Sequence, residues 1–170
     1  SETGCIDPAD SNKLAAGLFR YDVNVPAWTD GALSDRFLSI PQGSVLRTSP
    51  DGRLALPPGS IAMKTLTTER DARGQRRRLE TQLILARPDA TWDAYTYVWN
   101  EAQTDATLAR SATEIPLPSG RSHLVVDRPA CLSCHSLDVV PTIGLEAAQL
   151  DRDDVDYGGG RLGNPLATLD

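Results

Sequence analysis

Cys131-Leu132-Ser133-Cys134-His135 places two thiols one helical turn apart, with an imidazole directly after the second. That spacing solves a geometric problem. Two sulfurs on one side of a short helix can form thioether bonds to the vinyl groups of a haem, and the adjacent ring can then stand under the iron. The pentapeptide therefore points to one covalent haem c. Cys131 and Cys134 are the expected attachment residues, and His135 the expected proximal iron ligand.

Other chemistries use some of the same residues. A thioredoxin-like dithiol should follow a strand within a βαβ unit, whereas the surrounding pattern here is antiparallel. His123, Cys131, Cys134 and His135 are all ligand types that zinc accepts, although the adjacent Cys134 and His135 cannot easily both reach one tetrahedral ion. A plain disulfide between the two cysteines is the third option. A zinc- or disulfide-containing binding module without haem thus stays as an alternative.

The sixth iron position is less determined. Small class I cytochromes c carry the motif near the N-terminus and a Met ligand later. Here no Met, His or Lys follows His135, so that arrangement is excluded within this sequence. The upstream candidates for a distal ligand are His123, the only other histidine, and Met63, the only methionine; Lys13 and Lys64 are the only lysines. An open position would instead favour small-molecule binding or peroxidase-like chemistry. The leading expectation is an electron carrier rather than a catalyst.

The elements that must position these residues read as mainly β. Residues 78–85 alternate, with Leu79, Thr81, Leu83 and Leu85 on one face and Arg78, Glu80, Gln82 and Ile84 on the other. Residues 61–68 pair with 77–86 through a polar loop, and 92–99 add an aromatic and β-branched strand. Shorter strands are expected at 37–40, 44–48 and 123–126. Residues 105–110 read as a helical turn, 115–120 as a Pro-rich turn, 128–136 and 143–150 as helical, and 164–170 as the start of another helix. The expected fold is an antiparallel meander or sandwich with a short C-terminal helical haem-binding segment, α+β overall, and not the all-α class I cytochrome c fold. Residues 1–170 form a single domain, about 1–104 the β-rich part and about 105–170 the haem-attachment part. The abrupt end at Asp170 reads as a fragment of a longer chain.

Composition narrows the class. The chain has 170 residues and a net charge of −6, which argues against nucleic acid as a partner. There is no run of about 18 apolar residues, so no transmembrane segment is expected. Haem is attached to cysteines outside the bacterial cytoplasm, which implies export to the periplasm or beyond. Cys5 is the odd cysteine, read as a buried thiol. The clusters Trp28 to Ala32, and Trp99-Asn100 with Thr104-Asp105-Ala106, read as Asp turns beside a core tryptophan. Arg76-Arg77-Arg78 reads as a solvated hairpin end. No acid–base pair involving Glu80 or Asp105, no phosphate loop and no hydrolase pattern is identifiable.

Taken in order, several stretches resemble a family of bacterial exported c-type haem proteins of mostly uncharacterised function. They are Ser1-Glu2-Thr3-Gly4, Trp28-Thr29-Asp30-Gly31-Ala32, Leu56-Pro57-Pro58-Gly59-Ser60 with Lys64-Thr65, Leu79-Glu80-Thr81, Tyr95-Thr96-Tyr97-Val98-Trp99-Asn100 with Thr104-Asp105-Ala106, and Cys131 to His135 followed by Ile143-Gly144 and Gln149-Leu150. The resemblance implies that Cys131, Cys134 and His135 attach the haem, and that redox protein partners or fused redox domains exchange electrons with it. Thr29 stands where Ser is usual and Gln82 where Arg is usual, which removes a charge near the site.

Overall fold

The structure, a computed structural model, describes residues 3–70, 73–89, 91–117, 119–135 and 144–169. Its strands run in chain order as β1 (Leu18–Tyr21), β2 (Leu33–Ser39), β3 (Arg47–Thr48), β4 (Leu54–Ala55), β5 (Ile61–Thr67), β6 (Arg78–Ala86), β7 (Trp92–Trp99), β8 (Ala106–Leu108), β9 (Thr113–Pro116) and β10 (Ser122–Val125). Helices α1 (Arg128–Cys134) and α2 (Ala147–Leu150), strands β11 (Val155–Asp156) and β12 (Leu162–Gly163), and helix α3 (Pro165–Leu169) complete the chain. The fold is mainly β and antiparallel, with short helices confined to the C-terminal part.

One six-stranded sheet, ordered β1-β2-β5-β6-β7-β8, organises the molecule. Its strands follow one another along the chain except where the small β3–β4 hairpin is inserted. The central strands form because their residues alternate and both faces find cover. On one face, register aligns Phe37, Met63, Leu83 and Tyr95 across β2, β5, β6 and β7. Met63 and Leu83 are buried there with Cys5 of the N-terminal loop. On the other face, Phe19, Leu38, Ala62 and Ile84 align. The β3–β4 hairpin and the C-terminal segment close over part of that second face, burying Leu54, Leu56, Leu145 and Leu150 against Tyr21, Val23 and Leu38.

Backbone hydrogen bonds tie this cover together. Leu54 N–H donates to Leu145 C=O at 2.9 Å, and Ala147 N–H donates to Gly52 C=O at 2.8 Å. No described helix is long and apolar enough to cross a membrane.

Some local expectations are corrected. Residues 106–108 are not a helical turn but the edge strand β8, recruited by pairing with Tyr97, Val98 and Trp99. Strand structure at 44–48 is limited to Arg47–Thr48. Part of the 115–120 turn belongs to β9, which pairs with β10. Helix at 143–150 is confined to Ala147–Leu150, with Ile143 outside the described residues. The arginine cluster is not a solvated hairpin end. Arg76 Nη1 lies 3.0 Å from Asp35 and its Nε donates to Thr67 Oγ1 at 2.6 Å, while the Arg78 guanidinium stacks 3.6 Å from the Trp99 ring centroid.

Leu150 is fully buried and joins the C-terminal segment to the sheet. Leu150→Ala should therefore lower global stability by about 2–5 kcal/mol. The measurement is urea unfolding followed by far-ultraviolet circular dichroism. A transition unchanged in midpoint would show that residues 144–169 do not contribute to the main core.

Candidate haem-attachment site

Helix α1 begins at a sequence-defined cap. The Asp127 side chain accepts from Ala130 N–H at 3.2 Å, and Pro129 follows in the first turn, where its missing N–H costs nothing. The helix ends where His135 N–H donates to Cys131 C=O at 3.0 Å. Its position on the sheet is set by β7. Arg128 Nη2 lies 2.5 Å from Asp93 Oδ1, and Cys131 Sγ lies 3.7 Å from Thr96 Oγ1. Arg87 also pairs with Asp93. Hydrogen bonding from Arg128, followed by Arg87, holds the Asp93 carboxyl below its ordinary range against the opposing effect of desolvation.

Cys131 and Cys134 are both free thiols. Cys131 is half-buried against the sheet, and burial pushes its thiol up. Cys134 is exposed. The helical offset therefore gives one sulfur directed at the sheet and one at solvent.

The sheet face under α1 carries a polar row. Register aligns Tyr21, Arg36, Lys64, Gln82 and Thr96 across β1, β2, β5, β6 and β7. At the foot of this row lies a cavity of about 330 Å³, lined by His135 together with Arg36, Lys64, Ile84, Trp92 and Leu145. Arg36 is 8% exposed and pairs with Asp22 at 2.8 Å. Burial, then the Arg36 guanidinium, lowers the Lys64 ammonium from its ordinary value. Burial likewise pushes the Tyr21 hydroxyl, also on this wall, up to about 12. It therefore remains a proton donor at neutral pH.

This donor set fits a covalent haem. His135 borders the cavity, Cys131 and Cys134 stand on the adjoining helix outside its lining, apolar Ile84, Trp92 and Leu145 form part of the wall, and Arg36 and Lys64 supply cations for propionates beside one carboxylate, Glu146. The cavity sits at the small end of the roughly 300–1,000 Å³ of ligand pockets, so it would grip a macrocycle along part of its perimeter. Among the described residues, no group of three or more His, Cys, Asp and Glu is arranged to hold a metal ion.

No protein-family model, curated protein or solved structure matches this chain. The reading of the site therefore rests on its own residues.

The two distal candidates fall in different places. Met63 borders the cavity because β5 forms its floor, but its side chain packs with Cys5 and Leu83 on the opposite face. His123 is buried at 2% exposure between two carboxylates, with Nδ1 3.8 Å from Asp30 Oδ2 and Nε2 3.6 Å from Glu80 Oε1. It does not line the cavity that His135 lines.

Sequence reasoning missed Arg36 as a neighbour of the motif and Glu80 as the partner of His123; Lys64 was weighed only among the possible distal ligands, and Gln82 was set near the site by the family resemblance alone. Their common signal is a charged or amide residue on an alternating strand whose other positions are core. A larger cavity, about 760 Å³, lies on the opposite face beside Cys5, Tyr97 and Trp99, and no residue of the pentapeptide lines it. The tryptophan clusters divide. Trp99 is core and donates from Nε1 to Thr81 Oγ1 at 2.9 Å, but Trp28 is 75% exposed and so is not the core tryptophan expected.

The Arg128–Asp93 pair gives a pH-dependent anchor. Because the Asp93 carboxyl titrates lower in the folded chain, its contribution is present above the ordinary value near 3.9 and is lost as pH falls through the lowered value. Asp93→Asn should raise amide exchange in α1 by about tenfold or more at neutral pH, as expected for loss of a charge-assisted hydrogen bond. The wild type should approach that behaviour only in strong acid. Equal exchange in both proteins at neutral pH would show that another contact anchors the helix.

Proposed function

We propose that this chain carries one haem c and passes single electrons in an exported redox system. The observation that supports the reading is that His135, the last residue of the pentapeptide, borders a cavity whose lining also carries Arg36 and Lys64, while α1 holds Cys131 against the adjoining sheet and leaves Cys134 exposed. A bound haem supplies reversible one-electron chemistry at iron. The protein's part is to hold the macrocycle through Cys131 and Cys134, to ligate iron through His135, to neutralise propionates with Arg36 and Lys64, and to exclude water with Ile84, Trp92 and Leu145. Asp93 and Thr96 fix the helix that presents the sulfurs. The partners implied are redox proteins or fused redox domains, with the periplasm or the cell exterior as the compartment.

A second reading, an open sixth position suited to small-molecule binding, is favoured by the placement of Met63 and His123. His123 does not line the cavity beside His135, and Met63, though at its β5 wall, packs its side chain with Cys5 and Leu83.

The test is expression with the haem-attachment machinery, followed by visible spectroscopy and intact mass. One haem should stay with the chain through acid–acetone extraction, and Cys131→Ala with Cys134→Ala should release it. A colourless product with stoichiometric zinc would overturn the proposal. Carbon monoxide binding to the reduced protein should be unaffected by Met63→Leu and by His123→Gln if neither residue occupies the sixth position. A gain of binding in one variant alone identifies that residue as the ligand.

A further inference from the structure

Three buried polar atoms at one place lack hydrogen-bond partners: both ring nitrogens of His123 and Oε2 of Glu80. Buried polar atoms are ordinarily paired, so such a group calls for an explanation that packing does not supply. His123 and Glu80 are 2% and 1% exposed. The imidazole stands between two carboxylates, with Asp30 facing Nδ1 at 3.8 Å and Glu80 facing Nε2 at 3.6 Å. Each gap is a few tenths of an ångström beyond a hydrogen bond. At the inner end, Gln82 Nε2 donates to Glu80 Oε1 at 2.6 Å, and Gln82 lines the His135 cavity. At the outer end, the Asp30 side chain is 43% exposed and meets solvent.

The turn that carries Asp30 is built for this placement. Asp30 has φ 55° and Gly31 φ 82°, two successive left-handed residues. The turn is closed by Ala32 N–H donating to Thr29 C=O at 2.8 Å and by Thr29 Oγ1 donating to Ala32 C=O at 2.7 Å. Glycine is favoured at 31 because φ 82° lies in the left-handed region; a Cβ there would also displace the end of the Arg121 side chain, 2.9 Å away. The left-handed conformation is uncommon for a residue with a side chain, though tolerated by Asp. Asp30 Oδ2 also accepts from Leu124 N–H at 3.4 Å, which holds the carboxylate over β10.

We propose that Asp30, His123 and Glu80 form a proton relay from solvent to the buried carboxylate beside the cavity, and that Glu80 takes up one proton when an electron enters the cavity. An imidazole can accept a proton on one nitrogen while releasing another from the opposite one, so each passage keeps the ring's proton count and exchanges its tautomer, and the reverse passage on reoxidation restores the first tautomer. The balance is one electron from a one-electron donor, one proton from solvent, and one carboxylate converted to a carboxylic acid. Reoxidation reverses each term. The Glu80 charge is felt both by the Lys64 ammonium and at Cys131. Added negative charge in this weakly polarisable interior therefore opposes the Glu80 carboxylate, and protonation removes the opposition. The other charged groups facing this region are Arg36 and Lys64 from the sheet, Glu146 from the C-terminal segment, Asp127 from the α1 cap, and Arg121 beside Gly31.

The electron-driven part rests on the haem reading, and the experiment separates the two. The haem-loaded full chain is titrated on an electrode from about pH 5 to 8. The midpoint potential should fall by up to about 59 mV per pH unit over part of that range, and Glu80→Gln should flatten it. A carboxylic C=O band should appear in the reduced-minus-oxidised infrared spectrum and vanish in Glu80→Gln. Asp30→Asn, at a partly exposed position, should keep the slope at slow scan and lose it at fast scan, as should His123→Gln. A structural role for the three residues moves none of these readouts. A flat wild-type potential, or variants that match wild type at every scan rate, overturns the relay while leaving haem attachment intact. If no haem is retained, the haem reading has failed. The relay is then read from imidazole nitrogen chemical shifts of the chain as purified: a His123 protonation step that Asp30→Asn and Glu80→Gln both displace supports it, and one that neither displaces overturns it.

Discussion

Charge placed in the middle of a sheet must meet opposite charge, a hydrogen-bond donor or a ligand, because the interior offers little solvation of its own. The row from Tyr21 through Arg36, Lys64 and Gln82 to Thr96 imposes that constraint on one face of this fold. Arg36 is answered by Asp22, and Gln82 by Glu80. Lys64 is left facing a cavity together with His135. The apolar cover supplied by the β3–β4 hairpin and the C-terminal segment packs beside this row, around Leu38 and Ala62. The polar row and the hydrophobic cover together mark out where a cofactor can sit.

Much of the sheet was legible because its long strands alternate. Residues 78–86 show both faces plainly, and their pairing with 61–67 and 92–99 follows from short connections and matched lengths. Where segments were short, tertiary context decided. Ala106–Leu108 has no strong strand pattern and becomes β8 because the open edge of β7 supplies its hydrogen bonds. Arg76 and Arg78 read as solvated in one dimension. They are tied down by Asp35 and Trp99, which are remote in sequence.

The pentapeptide was legible for the opposite reason: its chemistry is local, contained in one turn of helix. The wall that faces it was not, since Arg36, Lys64 and Gln82 come together only through the register of three strands. His123 was noticed as a histidine, but its meaning depends on Asp30 and Glu80, brought to its two nitrogens by a left-handed turn and by β6. The Trp28 to Ala32 cluster reads as an Asp turn beside a core tryptophan; the turn forms at Asp30, but Trp28 is exposed. The residue in that cluster with a buried counterpart is the aspartate.

Strand β5 separates two hollows that differ in character, and Met63 borders both. On one side the lining carries Arg36, Lys64 and His135 with a single carboxylate, Glu146; on the other it carries Asp7, Asp10 and Asp105. The sheet is thus a dividing wall one residue thick, with mixed, mainly cationic furnishing in one room and acidic in the next. The Met63 side chain itself belongs to one room, where it packs with Cys5 and Leu83. Because close-packed interiors transmit displacement rather than absorb it, a change in bulk at Met63 presses on that room directly and reaches the other through the β5 backbone. The methionine thioether, long and unbranched, can change rotamer as the room on its own side fills.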